Sequence, residues 1–146
     1  MKSFVKCTLV MIVAWVGIVA ADAVKVTSAE EHEQAMKTIS RNALAVPKLL
    51  EAGAFDEVTK RYVAMREQFV GVEGFWAARP NTDGAILAKN AIVAVDAILK
   101  AAGASDRQGI DAGIKQLVAA CNVCHTKYRE PDPTAPNSFV FKKGVL

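Results

Sequence analysis

The residues best suited to chemistry stand close together near the carboxyl end, as Cys121-Asn-Val-Cys124-His125. This C-x-x-C-H spacing is the pattern of covalent haem attachment. On a helix, Cys121 and Cys124 lie on the same side, so each thiol can add to one vinyl group of a single haem. His125 then follows directly as a ligand of the iron. The sequence therefore predicts one haem c, attached through Cys121 and Cys124 and ligated by His125.

Three other uses of these side chains are weaker. A disulfide between Cys121 and Cys124 fits poorly inside a helix. A thioredoxin-like redox pair requires a strand–helix–strand setting, and no strand signal precedes the motif. A zinc site requires four ligands, which the two cysteines and His125 would complete only if the fold brought His32 to them.

Residues 1–23 have the pattern of a secretory signal peptide. Lys2 and Lys6 form a basic start, an apolar run follows to Ala21, and Ala21 and Ala23 are small residues at the two positions that a signal peptidase recognises. We expect cleavage after Ala23 and a periplasmic location, which suits haem attachment outside the cytoplasm. The alternative is an uncleaved anchor, for which the apolar run is short.

The rest of the chain has the composition of a single globular domain. Hydrophobic residues make up 52% of the 146 residues but only about 48% once the first 23 are removed, a value typical of soluble domains. The net charge falls from +3 to +2, too balanced to indicate nucleic acid or an anionic membrane as a partner. A second apolar run long enough to span a membrane does not occur, so we expect no stable membrane insertion after cleavage.

Two helices are predicted in the first half of the domain. The first begins at Ser28, which forms a capping box with Glu31, and its regular part ends at Pro47. Its apolar positions are Ala35, Met36, Ile39, Ala43 and Leu44. The second helix runs from Phe55 to Val70 and ends at Gly71 and Gly74. Its apolar stripe is Val58, Tyr62, Met65 and Phe69, and residues 71–82, with Phe75, Trp76 and Pro80, are predicted as a loop.

Two more helices and a tail complete the chain. The third helix runs from about Thr82 to Ala102, where Gly103 closes it, with Ile86, Asn90, Val93 and Ala97 on its inner face. The fourth begins at Ser105 and ends before Pro131. Its inner face consists of Ile110, Ile114, Leu117, Val118, Cys121, His125 and Tyr128. Residues 131–146 are predicted to be an irregular, proline-containing tail that Phe139 and Phe141 pin to the domain.

Four amphipathic helices with short connections bury their apolar stripes best as an antiparallel four-helix bundle. The predicted class is therefore all-α, with one domain over residues 24–130. The C-x-x-C-H motif falls near the carboxyl end of the last helix.

The segment from Cys121 to Arg129 resembles the C-x-x-C-H-x-x-(Phe/Tyr)-Arg signature of cytochrome c′ and its class II relatives. The resemblance implies a four-helix bundle with its haem near the end of the last helix, and it implies that Tyr128 and Arg129 contribute to the haem pocket. Tyr128 as a simple packing residue, and Arg129 as an exposed residue at the helix end, are the alternatives.

The first helix is similar to that of the methionine-ligated branch of this family, because Met36-Lys is followed by Arg41-Asn in the same register. The resemblance implies that Met36 is the second iron ligand. The alternative is a core methionine. His32, one turn before Met36, can cap the site, serve as an alternative ligand, or lie in solvent near the start of the helix.

The expected function is that of a periplasmic monohaem electron-transfer cytochrome, which is not an enzyme and whose partners are other redox proteins. The alternative is a five-coordinate cytochrome c′-like protein that binds nitric oxide or carbon monoxide, with Met36 only as a lid. A peroxidase-like enzyme is weaker, because His32 alone qualifies as a distal acid–base group. Members of this family often form dimers through their first two helices, so the sequence leaves the choice between monomer and homodimer open.

Overall fold

A computed structural model describes residues 24–80, 83–136 and 138–146, and the predicted signal peptide lies outside these residues. The elements in chain order are α1 (Ala29–Glu51), α2 (Phe55–Ala77), α3 (Gly84–Gly103), α4 (Arg107–Tyr128), β1 (Arg129–Pro131) and β2 (Phe139–Phe141). The predicted all-α class is confirmed as a bundle of four helices. Within the described residues, none of the helices is both long and apolar enough to cross a membrane.

Two clusters of buried side chains show that consecutive helices run in opposite directions. The first cluster joins the end of α1, the start of α2, the end of α3 and the start of α4, through Val46, Leu50, Val58, Tyr62, Ile98, Ala102 and Ile110. The second joins the opposite four ends, through Ala35, Val72, Phe75, Trp76, Ala88 and Tyr128. This arrangement is the predicted antiparallel order, and it places the C-x-x-C-H segment beside the second cluster.

Helices α1 and α2 are both longer than predicted. Pro47 lies inside α1, which continues to Glu51. Both Pro47 and Ala43 are exposed, so the carbonyl group that loses its helical partner to the proline can reach water. Helix α2 continues through both glycines to Ala77. The predicted loop was wrong because burial of Phe75 and Trp76 outweighs the low helix propensity of glycine.

The predicted inner face of α3 was wrong. Ile86, Asn90, Val93 and Ala97 are all exposed, whereas Ala88, Ala91, Ile92, Ala94, Val95 and Ile98 are buried. The chosen stripe had larger side chains, but a row of alanines allows neighbouring helices to approach closely. Ala43 and Leu44 on α1 and Val118 on α4, which were also predicted to face inward, are exposed as well.

The start of α4 and the tail also differ from prediction. Asp106, rather than Ser105, caps α4, and its carboxylate accepts a hydrogen bond from the backbone N–H of Gly109 at 3.0 Å. Ser105 has φ 52°, in the left-handed region. Part of the predicted irregular tail is a short antiparallel ribbon, in which Arg129 pairs with Phe141 and Pro131 with Phe139.

Candidate functional site

All four helices line a small cavity at the end of the bundle that holds the second cluster. The cavity brings together Cys121, Cys124 and His125 of α4 with Met36 of α1, which are the four residues predicted to hold haem. The other lining residues are His32, Phe69, Val72, Trp76, Leu87, Ala88, Ala91, Ala120 and Arg129.

Cys121 and Cys124 are both free thiols and both half-buried. Burial raises the pKa of each thiol to about 11, and for Cys124 the neighbouring Cys121 adds to this effect. Both thiols are therefore protonated at neutral pH, and they form no disulfide.

His125 is half-buried, and its ring lies 5.2 Å from the ring of Phe139 between centroids. Burial lowers the pKa of His125, and the positive charge of Arg129 lowers it further. The imidazole is therefore neutral at pH 7 and has a nitrogen lone pair that can bind a metal ion.

Met36 contacts the cavity from the opposite helix. It is half-buried, and it also lines a second, more open groove together with His125, Arg129 and Phe139. Met36 and His125 thus border both spaces. Met65, the other methionine after residue 23, is buried in the first cluster instead. The assignment of Met36 rather than Met65 to the site agrees with this placement.

His32 and Arg129 are buried together, 3% and 8% exposed. Arg129 Nη1 lies 3.3 Å from Nδ1 of His32, and Arg129 Nη2 donates a hydrogen bond to the backbone carbonyl of Phe139. The two alternatives that placed His32 in solvent and Arg129 on the surface were therefore wrong. Desolvation, with a further contribution from Arg129, lowers the pKa of His32 to about 3.

Tyr128 lies next to the site and connects it to the start of α3. Its ring centroid is 4.5 Å from that of Trp76. Its hydroxyl donates a hydrogen bond to the carboxylate of Asp83 and accepts one from the backbone N–H of Asp83 at 3.1 Å. Lys127 Nζ lies 2.7 Å from the same carboxylate. Tyr128 therefore contacts the cavity wall through Trp76, and a direct haem contact stays a prediction.

Trp76 is one of the lining residues that the sequence analysis missed, since it was placed in a loop. Its signal was present, because buried positions recur three and four residues apart along the whole of α2, at Val58, Tyr62, Met65, Phe69, Val72 and Trp76. The two glycines obscured that pattern without interrupting it.

The side chains that line the cavity limit the kind of metal or cofactor that it could bind. Within the described ranges, no three or more His, Cys, Asp or Glu side chains are grouped to hold a metal ion, so the four-ligand zinc alternative gains no support. The lining is mainly apolar and includes two free thiols, two imidazoles and one thioether. These are the donor types that a haem c would use, since haem needs only one or two protein ligands to the iron. Comparison with protein-family models, curated proteins and solved structures found no match.

Proposed function

We propose that this protein is a monohaem c-type cytochrome that transfers electrons in the periplasm, with its haem in the cavity between α1 and α4. The observation that carries the proposal is that Cys121, Cys124, His125 and Met36 line this one cavity, although Met36 is far from the others in sequence. The C-x-x-C-H spacing gives the cavity its specificity for haem.

Cys121 and Cys124 would hold the haem covalently. Each S–H would add across one vinyl C=C bond, with sulfur bonding to one carbon and hydrogen to the other. This addition needs no oxidant, but it does require reduced thiols, as found here. Both cysteines belong to α4, so the attachment points are fixed on a rigid element.

His125 and Met36 would ligate the iron from opposite helices. Haem supplies one-electron chemistry, since its iron is stable as both ferrous and ferric ion. A soft thioether ligand would favour the ferrous state and raise the reduction potential. Because α1 and α4 belong to one packed bundle, Met36 and His125 would keep their positions in both redox states, and little of the protein would have to rearrange.

The surroundings also suit electron transfer. Phe69, Val72, Leu87 and neighbouring alanines make most of the cavity wall apolar. Such a wall would keep water away from a bound iron. The net charge of +2 after residue 23 is small, so we expect redox partners to be recognised with little long-range electrostatic steering.

Production of the full chain in a host that attaches haem c tests the proposal. We expect covalently bound haem, a cleaved leader, and low-spin optical spectra in both redox states. The variant with both Cys121→Ala and Cys124→Ala is expected to lose the covalent haem. Purification of the wild-type protein without covalent haem, from cells that load a known c-type cytochrome, would overturn the proposal. A high-spin ferric spectrum would instead favour the gas-binding alternative.

A further inference from the structure

Three buried side-chain nitrogen atoms in the described part of the chain have no hydrogen-bond partner: His32 Nε2, Trp76 Nε1 and Arg129 Nε. All three residues line the same cavity. Their side chains are 3%, 1% and 8% exposed, so water does not satisfy them from the surface. Buried polar groups without partners are rare, and three at one cavity indicate that a bound group supplies the missing partners.

All three atoms are hydrogen-bond donors. The indole and guanidinium groups have only N–H donors and no acceptor. Because Arg129 Nη1 approaches His32 Nδ1 at 3.3 Å, Nδ1 must be the acceptor in that contact. The proton of the neutral imidazole therefore lies on Nε2, and the group that satisfies this set must accept hydrogen bonds.

The site also carries a positive charge that no described carboxylate contacts, since Glu33 acts on Arg129 only from beyond ion-pair distance. The guanidinium of Arg129 contacts two neutral acceptors, His32 Nδ1 and the carbonyl of Phe139. It forms no ion pair with any carboxylate among the described residues. Burying a charge without a counter-ion is costly. A bound anion would remove this cost, and a single positive charge matches one carboxylate.

We propose that Trp76, His32 and Arg129 form a buried binding site for one carboxylate group. A carboxylate is acceptor-only and has two oxygens with about four lone-pair sites, enough for all three N–H groups. The carboxylate is either a propionate of the haem or a small free carboxylate anion. The first source rests on the proposed function, and the second does not.

The free-anion source is tested with acetate and the wild-type full chain, made in the cytoplasm without haem and kept reduced. Trp76 is the only tryptophan after residue 23, and the Trp76→Phe variant assigns its indole signal. We expect the indole N–H resonance to shift saturably with sodium acetate and not with sodium chloride. By calorimetry, Arg129→Gln and Trp76→Phe should each weaken acetate binding at least about tenfold, because each removes a charge-assisted hydrogen bond.

Arg79→Gln is the matched control. Arg79 stacks on Phe75 at 3.4 Å and donates to the carbonyl of the same residue, outside the cavity. Its loss should change acetate affinity by no more than about twofold.

The haem source is tested with the haem-loaded protein. Infrared spectra of haem labelled with ¹³C at the propionate carboxyl groups report their hydrogen bonds directly. We expect Trp76→Phe to shift one of the two carboxylate bands and Arg79→Gln to shift neither.

The outcomes separate this site from the proposed function. Acetate binding by a chain that never acquires haem would support the carboxylate site and overturn the cytochrome. If acetate leaves the indole signal of the haem-free chain unchanged, but Trp76→Phe shifts a propionate band of the haem-loaded protein, the site binds a propionate. If acetate leaves the indole signal unchanged and no propionate band responds to Trp76→Phe, the carboxylate site is overturned, even in a haem-loaded protein.

Discussion

Arg129, the first residue of β1, directs one guanidinium nitrogen at Nδ1 of His32 in the first turns of α1, 3.3 Å away. This contact joins the end of the helical bundle to its beginning. It also fixes the chemistry of His32, because a neighbouring guanidinium opposes a second positive charge on the imidazole. His32 is thus a buried, neutral histidine whose other nitrogen is free to donate into the site.

The stability of the protein should fall as the pH drops below about 6.5, partly because of His32. The pKa of His32 is about 3 in the folded chain and 6.5 in the unfolded chain, so the unfolded chain takes up the proton first. Between these two values, His32 removes stability at up to about 1.4 kcal/mol per pH unit as the pH falls. Above pH 6.5 its contribution is constant.

Urea denaturation at pH 7, 6 and 5 measures this effect. The wild type should lose about 2 kcal/mol more than His32→Gln between pH 7 and 5. Glutamine keeps a polar side chain that does not titrate. His125 is present in both proteins, so its contribution to the pH dependence cancels in the difference. Parallel stability profiles for the two proteins would show that His32 is not held neutral.

Replacement of Met36 by leucine should convert the haem-loaded protein from low-spin to high-spin. Leucine keeps nearly the same volume but removes the thioether that we propose as an iron ligand. Met65→Leu is the matched control, since Met65 is 1% exposed in the first cluster and does not line the cavity. Its spectrum should equal that of the wild type.

Optical and electron paramagnetic resonance spectra of the ferric protein report the spin state. A Met36→Leu spectrum that stays low-spin would remove Met36 as the ligand and leave the haem-attachment motif untouched. A high-spin wild type would make Met36 a lid over an open iron, as in the gas-binding alternative.

Much of the candidate site could be predicted from sequence, because C-x-x-C-H encodes its chemistry locally. The spacing alone puts Cys121, Cys124 and His125 on one helix, and the antiparallel order then brings the start of α1 to the end of α4. For that reason Met36, near the start of α1, lines the same cavity as the motif at the end of α4. The capping box of Ser28 was also correct, since it depends on residues only three apart.

The errors concern burial, which depends on partners that the sequence does not specify. Val93 and Ile98 are both β-branched residues of α3, yet one is 59% exposed and the other fully buried. The difference is set by which side of α3 the alanines occupy, because α2 and α4 approach along that side. The burial of Arg129 likewise depends on the pairing of β1 with β2, which no short-range pattern indicated.

The contact between Gly84 and Trp76 predicts a specific intolerance at the start of α3. A Cβ atom at Gly84 would lie only 2.3 Å from Cδ2 of the Trp76 indole. Since Trp76 is 1% exposed and packed on Tyr128, its ring cannot move away freely. Gly84→Ala should therefore destabilise the protein by about 1–3 kcal/mol and alter the near-ultraviolet circular dichroism of the indole.

Gly74→Ala provides the comparison for Gly84. Gly74 lies inside α2, and a Cβ atom there meets nothing within 4 Å. Alanine at this position should stabilise the helix by about 0.5–1 kcal/mol, since it restricts the unfolded chain. Equal effects of the two substitutions in thermal denaturation would argue against close contact between Gly84 and Trp76.

Phe141 of β2 closes the site from the side of the ribbon, and its removal should expose His32. The ring of Phe141 lies 4.9 Å from that of His32 and 4.7 Å from the guanidinium carbon of Arg129. Phe141→Ala should cost about 1–3 kcal/mol of stability for a half-buried ring. It should also raise the pKa of His32 towards 6.5, because desolvation is the main cause of its lowering.

Val140→Ala tests whether the effect is specific to the inward face of β2. Val140 is the exposed neighbour of Phe141 in the same strand, so its truncation should change stability by less than about 0.5 kcal/mol. Nuclear magnetic resonance titration of the histidine ring protons gives the pKa of His32 in each variant. If Phe141→Ala lowers stability but leaves that pKa unchanged, the ribbon stabilises the bundle without shielding His32. If only the pKa rises, the aromatic ring acts mainly as a barrier to water over the His32–Arg129 pair.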